Sequence, residues 1–134
     1  TFATSWAQAG RDIPCFGTTQ ADYFYGPVPC ARMLTRAELD ADYEKSTGLV
    51  IAELFRERGL DPVAVPGALC RCHGPFAWGK DPAQAVYHAS VLEECARMAL
   101  YTLQLDPGAH SVPQYLLDKH YFRKHGPGAY YGQH

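Results

Sequence analysis

The sequence predicts a layered α/β domain, and three observations carry that expectation. Two long stretches show helical spacing of apolar residues between clear start and stop signals. Short apolar runs bounded by Gly and Pro lie among them. Helices and runs alternate along the chain instead of falling into separate blocks. With 134 residues, 47% of them apolar and 19% charged, the chain has the length and composition of one domain able to bury a core.

Taken in order, Thr1 to Ala9 reads as the end of a helix stopped by Gly10, in the manner of a C-cap glycine. "RDIPCFGTTQADYFYGPVPC" mixes apolar residues with Gly and Pro. It reads as an extended segment near Cys15, a turn at Gly17, then an aromatic loop or short helix. "TRAELDADYEK" begins with Thr35 and carries Glu38 three residues on, a capping-box signature. Thr47 to Arg58 places Val50, Ile51, Leu54 and Phe55 at helical spacing before Gly59, so an amphipathic helix is expected there. "AVPGALCRC" reads as a buried strand, with a Gly-Pro turn after His73.

Asp81, Pro82 and Gln84 form a helix start, followed to about Gln104 by an apolar stripe of Ala85, Val86, Ala89, Leu92, Ala96, Ala99 and Leu103. Ser111, Pro113 and Gln114 repeat the start signal for a last helix to about Lys124. The Gly- and aromatic-rich tail "HGPGAYYGQH" should be irregular.

A net charge of −2 gives no basic excess that would track nucleic-acid phosphate. No apolar run approaches the ~20 residues of a membrane span, and no signal-peptide pattern is visible. The five cysteines (Cys15, Cys30, Cys70, Cys72 and Cys95) are odd in number and scattered, which favours free thiols in a reducing cytoplasm over a disulfide framework.

Several residues could carry chemistry. His73 follows a predicted strand, where α/β folds often place site residues, although a lone His in a turn is commonly just hydrogen-bonded. Asp22 lies amid Tyr and Phe, as a general base could, yet local sequence reads it more simply as an Asx-turn or helix cap. His120 and Arg123 share one helix face and Lys119 and Arg123 another, a pattern whose plain reading is a solvated cationic helix end. Tyr130 and Tyr131 form an aromatic tail that should dock onto something.

The segments "AQAGRDIPCFGTTQADYFYGPVPC", "VPGALCRCHGPFAWGKDPAQAV", "VLEECARMALYTLQL" and "LLDKHYFRKHGPGAYYGQ" resemble the class II aldolase/adducin family over the whole chain. Within it, "ADYFYG", "HGPFAWGK" and "AYYGQ" resemble the ketopentose-phosphate 4-epimerases of arabinose catabolism more than the sister aldolases. The resemblance implies that residues 1–134 are the C-terminal part of a single α/β/α domain with a central, mostly antiparallel sheet. It implies a cytoplasmic homotetramer with sites between subunits, a sugar-phosphate substrate, and neither a nucleic-acid nor a membrane partner.

It further implies a Zn²⁺ or similar divalent ion held by three histidines. One corresponds to His73. The other two belong to a His-x-His-Ser motif that would lie before "TFATSWAQAG" and is not in this chain, and the Gly/Ser-rich phosphate-binding loops are upstream as well. The chain alone is therefore not expected to retain the metal. The chemistry implied is a retro-aldol followed by an aldol that inverts C4, with Asp22 and Tyr131 as the two acid/base groups and His120 orienting Asp22. Gln20 stands where the family commonly has His, and Gln does not titrate. Two other readings remain open: a metal-dependent sugar-phosphate aldolase, and a non-catalytic oligomeric module.

Overall fold

A computed structural model describes residues 1–132. Gln133 of the "AYYGQ" motif, and His134, lie outside the described residues. The elements are α1 (Phe2–Ala9), α2 (Thr18–Ala21), β1 (Cys30–Ala31), α3 (Arg36–Ala41), α4 (Tyr43–Arg58), β2 (Gly67–Cys70), β3 (Gly74–Ala77), α5 (Pro82–Leu105) and α6 (Gln114–Lys124). The expected α/β class is what the chain adopts. Its sheet has the order β1-β2-β3, with β1 and β2 parallel and β2 and β3 antiparallel. The parallel step is made by a crossover through α3 and α4, as a parallel pair requires.

All four β2 residues are buried, as befits a central strand. Helices α1 and α5 pack on β2 and β3, and α4 packs on β1 and β2. The main core joins Trp6, Ile13, Phe24, Val28, Leu69 and Leu92. Trp6 Nε1 donates to the carbonyl of Ala96 at 3.0 Å, tying α1 to α5. Glu93 on α5 also caps α1, accepting from Phe2 N at 2.7 Å and Ala3 N at 2.9 Å, so two otherwise unpaired helix-start donors are satisfied across the core.

The caps behave as the sequence predicts. Gly10 takes a left-handed conformation (φ 65°) after α1, and Gly59 does the same (φ 62°) after α4. Thr35 and Glu38 form the full capping box of α3, and Asp81 accepts from Gln84 N at 2.8 Å to start α5. Four details differ. α4 begins at Tyr43, four residues before Thr47, because Asp42 caps it by accepting from Lys45 N. Val86 is 67% exposed, so the buried α5 stripe is Leu92, Cys95, Ala96 and Ala99. The N-cap of α6 is Pro113, not Ser111.

Finally, Gly74 and Pro75 open β3 instead of forming a turn. The turn is Arg71–Cys72–His73, with Cys72 at φ 64° where a glycine would ordinarily sit. The five cysteines are free; four are buried and Cys72 is exposed. No helix among the described residues is long and apolar enough to cross a membrane.

One glycine is required by packing. A Cβ at Gly67 would lie 2.8 Å from Leu92 Cδ1 and 3.1 Å from the carbonyl oxygen of Phe76. The carbonyl belongs to the β2–β3 ladder and cannot move away cheaply. Gly67→Ala should therefore destabilise the fold by about 1–3 kcal/mol, the usual cost of overpacking. Denaturant unfolding would read this as a lower midpoint with an unchanged slope; an unchanged midpoint would refute it.

Candidate active site

Asp22 is the C-cap residue of α2, and its side chain neither caps a helix nor closes an Asx-turn. A carboxylate gains nothing from a helix C-terminus. Side chains from α6 hold it instead. His120 Nδ1 donates to Asp22 Oδ1 at 3.0 Å. Arg123 donates through Nη2 to both oxygens, at 3.0 and 2.9 Å, and through Nε to Oδ1 at 3.3 Å. Lys124 Nζ lies 3.3 Å from Oδ2. His125 Nε2 donates to the backbone carbonyl of Asp22 at 2.9 Å, with its ring stacked 4.2 Å from Tyr121.

Side-chain exposures are low: 13% for Asp22, 19% for His120 and 22% for Arg123. Burial alone would raise the Asp22 carboxyl, but bonds from Arg123, His120 and Lys124 outweigh it and hold Asp22 below the usual carboxylate range. Arg123 is correspondingly pushed up by Asp22.

The tail returns to the same place. Tyr130 N and Tyr131 N both donate to the carbonyl of Arg123, at 2.8 and 2.9 Å. The Arg123 guanidinium lies 4.3 Å from the Tyr131 ring centroid, a cation–π distance. Lys119 sits 5.3 Å from the Tyr130 ring. Arg123 thus joins Asp22 by its side chain and the tail by both its guanidinium and its carbonyl. The α6 face is held against the α2 segment by Leu117, buried with Cys15 and Ala21, and by Tyr25, whose ring packs 4.9 Å from Tyr121 and whose hydroxyl donates to Asp118 at 2.5 Å.

The plain readings of Asp22 as a cap and of the α6 end as solvated are both corrected by this cluster. Asp22, His120 and Tyr131 come together, and Arg123 and Lys124 join them. For Arg123 the sequence signals were its helical spacings from His120 and Lys119; Lys124 had none beyond its place at the helix end.

Gln20 lies beneath the same loop, 4% exposed, its amide donating to the carbonyls of Gly26 at 3.1 Å and Ile13 at 3.4 Å. A neutral imidazole could offer one donor there, not two.

His73 is elsewhere. It occupies the exposed β2–β3 turn, its ring 5.1 Å from Phe76 and 6.2 Å from Tyr43. It borders a cavity of about 380 Å³ with Leu34, Leu39, Tyr43 and Arg71. The hairpin pairs Cys70 with Gly74 at the His73 end and Gly67 with Ala77 at the other. Phe24, two residues from Asp22, packs at the Gly67 end, and Trp78 borders a cavity with Tyr23 and His125 there. The two ends are three residue steps apart, about 10 Å of strand.

No group of three His, Cys, Asp or Glu side chains that could hold a metal exists among the described residues. One exposed imidazole does not make a catalytic metal shell, which takes three protein ligands. The residues present therefore do not by themselves fit a bound metal.

Residues 1–100 match the family described as Class II Aldolase and Adducin N-terminal domain. The chain is 52% identical over 133 residues to an L-ribulose-5-phosphate 4-epimerase UlaF of Salmonella paratyphi A (strain ATCC 9150 / SARB42), covering 99% of this chain and 58% of that protein. It shows the same identity and coverage to the protein of that name from Salmonella typhi, and 50% identity to the one from Salmonella choleraesuis (strain SC-B67). The chain thus spans 58% of the length of these relatives. An L-fuculose 1-phosphate aldolase of known structure superposes with a TM-score of 0.64 at 17% identity, over 92% of this chain and 51% of that one, a likeness of fold.

Proposed function

The chain belongs to the class II aldolase and adducin family, and from that premise we propose that it is the C-terminal part of an enzyme domain that inverts C4 of a ketopentose 5-phosphate, interconverting L-ribulose 5-phosphate and D-xylulose 5-phosphate. The observation that carries this reading is the gathering of Asp22, His120 and Tyr131 around Arg123. Inversion at a hydroxyl-bearing carbon by bond cleavage needs two proton-transfer groups, one for each orientation of the C4 oxygen. The Asp22–His120 pair supplies one and the Tyr131 phenol the other, and neither requires a redox cofactor.

Enzymes of this family generally use a divalent metal, Zn²⁺ in our reading, with His73 as one ligand. Its other ligands would be the His-x-His-Ser pair that the resemblance places upstream. The chemistry such an ion supplies is polarisation of the ketone. Within this chain, Arg123 keeps Asp22 ionised and anchors the tail, and Tyr131, 52% exposed, stands where it can reach a neighbouring molecule. A cytoplasmic homo-oligomer with sites shared between subunits accommodates both the exposed tail and the separation of His73 from Asp22.

The test is a product analysis on the complete gene product given L-ribulose 5-phosphate. An epimerase yields D-xylulose 5-phosphate with no accumulation of the two-carbon aldehyde phosphate. Stoichiometric release of that aldehyde would establish the aldolase reading instead, and no consumption of substrate would leave the non-catalytic module.

A further inference from the structure

We propose that the cavity between the end of β3 and the start of α5 is a second binding site, for a sugar phosphate, with His88 taking the sugar's hydroxyls and Lys80 its phosphate. The cavity measures about 400 Å³, within the usual range of small-molecule sites. Trp78 and Pro66 give it an apolar wall, and Lys80, Gln84, His88 and His125 give it polar groups. Among the described residues its lining holds no carboxylate. The acids nearest in sequence, Asp61 and Asp81, are turned to the backbone amides of Val63 and Gln84, each at 2.8 Å.

Two imidazoles define the sugar end. His88 Nδ1 donates to the carbonyl of Trp78 at 2.6 Å, and His125 Nε2 donates to that of Asp22 at 2.9 Å. Each ring thus has one nitrogen committed to a main-chain carbonyl, and in the neutral ring the other carries a lone pair. Those other nitrogens, His88 Nε2 and His125 Nδ1, have no hydrogen-bond partner among the described residues. Two acceptors of fixed tautomer on one cavity suit a ligand with several O–H donors, as a sugar has.

The phosphate end is defined by donors. The Lys80 ammonium has no partner among the described residues. Gln84 Oε1 accepts from Lys80 N at 2.8 Å, which leaves the Gln84 amide N–H groups to donate. An ammonium beside an amide donor suits an anion. Their spacing is fixed by Gly79, where a Cβ would lie 2.8 Å from both Gln84 Cβ and Ala85 N, so only glycine lets the chain bring Lys80 this close to the helix start. The wall is fixed as well: Trp78 Nε1 donates to the carbonyl of Pro62 at 2.8 Å, and its ring packs edge-on to Phe55 at 5.4 Å. A ligand entering such a site orders little that is not already ordered.

The cavity touches the acid/base cluster only through His125 and Tyr23, and His125 reaches Asp22 by its main-chain carbonyl. Lys80 and His88 have no part in the proposed epimerisation. Binding there is read without turnover, so it stands or falls apart from the epimerase reading.

Titration calorimetry of the complete gene product with D-ribose 5-phosphate tests this, with Lys80→Met and His88→Phe variants beside wild type. The expected result is a binding event, one per chain, that each variant weakens roughly 10-fold or more, the scale of one lost bond to a charged or buried group. Lys80→Arg should retain most of it. Equal binding by wild type and both variants would overturn the proposal. So would a loss confined to Lys80→Met, since a lone surface lysine holds any anion, and so would inorganic phosphate alone binding as tightly as the sugar phosphate. A second measurement needs no variant that alters the wall. The Cε1–H proton resonance of His88 in the wild-type protein should shift as D-ribose 5-phosphate saturates, and a resonance that stays in place overturns the proposal whatever the variants do.

Discussion

Arg123→Ala should lower turnover of the complete gene product by roughly 10²-fold or more, the scale of losing one positioned acid/base group, although Arg123 itself moves no proton. The reason is its double attachment. Its guanidinium binds both oxygens of Asp22 and lies 4.3 Å from the Tyr131 ring, while its carbonyl accepts from the Tyr130 and Tyr131 amides. Alanine keeps the carbonyl and loses the rest. Arg123→Lys keeps the charge but not the fork, so it should fall between wild type and alanine.

The same substitution carries a stability signature with a definite sign. Asp22 titrates lower in the folded protein than in the unfolded chain, so it adds stability above the unfolded carboxyl value, about 3.9. That contribution disappears as pH falls through the lower folded value. Removing Arg123 raises the folded value toward the unfolded one, so the acid-unfolding midpoint should move to higher pH. Equal turnover and equal acid midpoints in wild type and Arg123→Ala would show that the guanidinium organises nothing.

That Arg123 had to be found in the structure has a physical reason. Its bond to Asp22 spans 101 residues, and no local pattern encodes a partner so distant. What the sequence does encode is local. α5 is announced by Asp81 and Pro82 and sustained by Leu92, Ala96 and Ala99; α1 and α4 end at glycines that adopt left-handed conformations. β1 and β3 were less legible. Two residues, Cys30 and Ala31, carry no period, and Gly74–Pro75 reads locally as a turn. Their strand state is imposed by pairing with β2, and the actual turn is made by Cys72, which carries no turn signal.

The candidate site divides similarly. Asp22, His120 and Tyr131 were reached through the family resemblance, and local chemistry alone favoured plainer roles. Gln20 was visible only as a departure from the family's histidine; its two carbonyl partners give it a structural task that titration would not help.

Co-expression of His73→Ala chains with Tyr131→Phe chains should recover activity that neither variant shows alone. The proposed epimerisation needs groups at both ends of one small substrate. The C2 ketone would face the site of His73, and the C4 oxygen would face His120 and Tyr131. Carbons C2 and C4 are separated by two bonds, whereas His73 lies at the turn end of the β2–β3 hairpin and Phe24, two residues from Asp22, packs at the Gly67 end, about 10 Å of strand away. On that separation we expect no single chain to bring both to the same substrate. A symmetric oligomer can, by placing the tail of one chain against the hairpin turn of the next.

In a mixed oligomer, some sites then draw His73 from a Tyr131→Phe chain and Tyr131 from a His73→Ala chain. With equal expression and random assembly, about a quarter of sites would be intact, the chance that two independently drawn neighbours each bring the working residue. The measurement is turnover of hetero-oligomers purified through different tags on the two variants, beside each variant alone. Mixed oligomers as inactive as their parents would mean that both groups come from one chain, and that the hairpin separation is closed by a rearrangement within it.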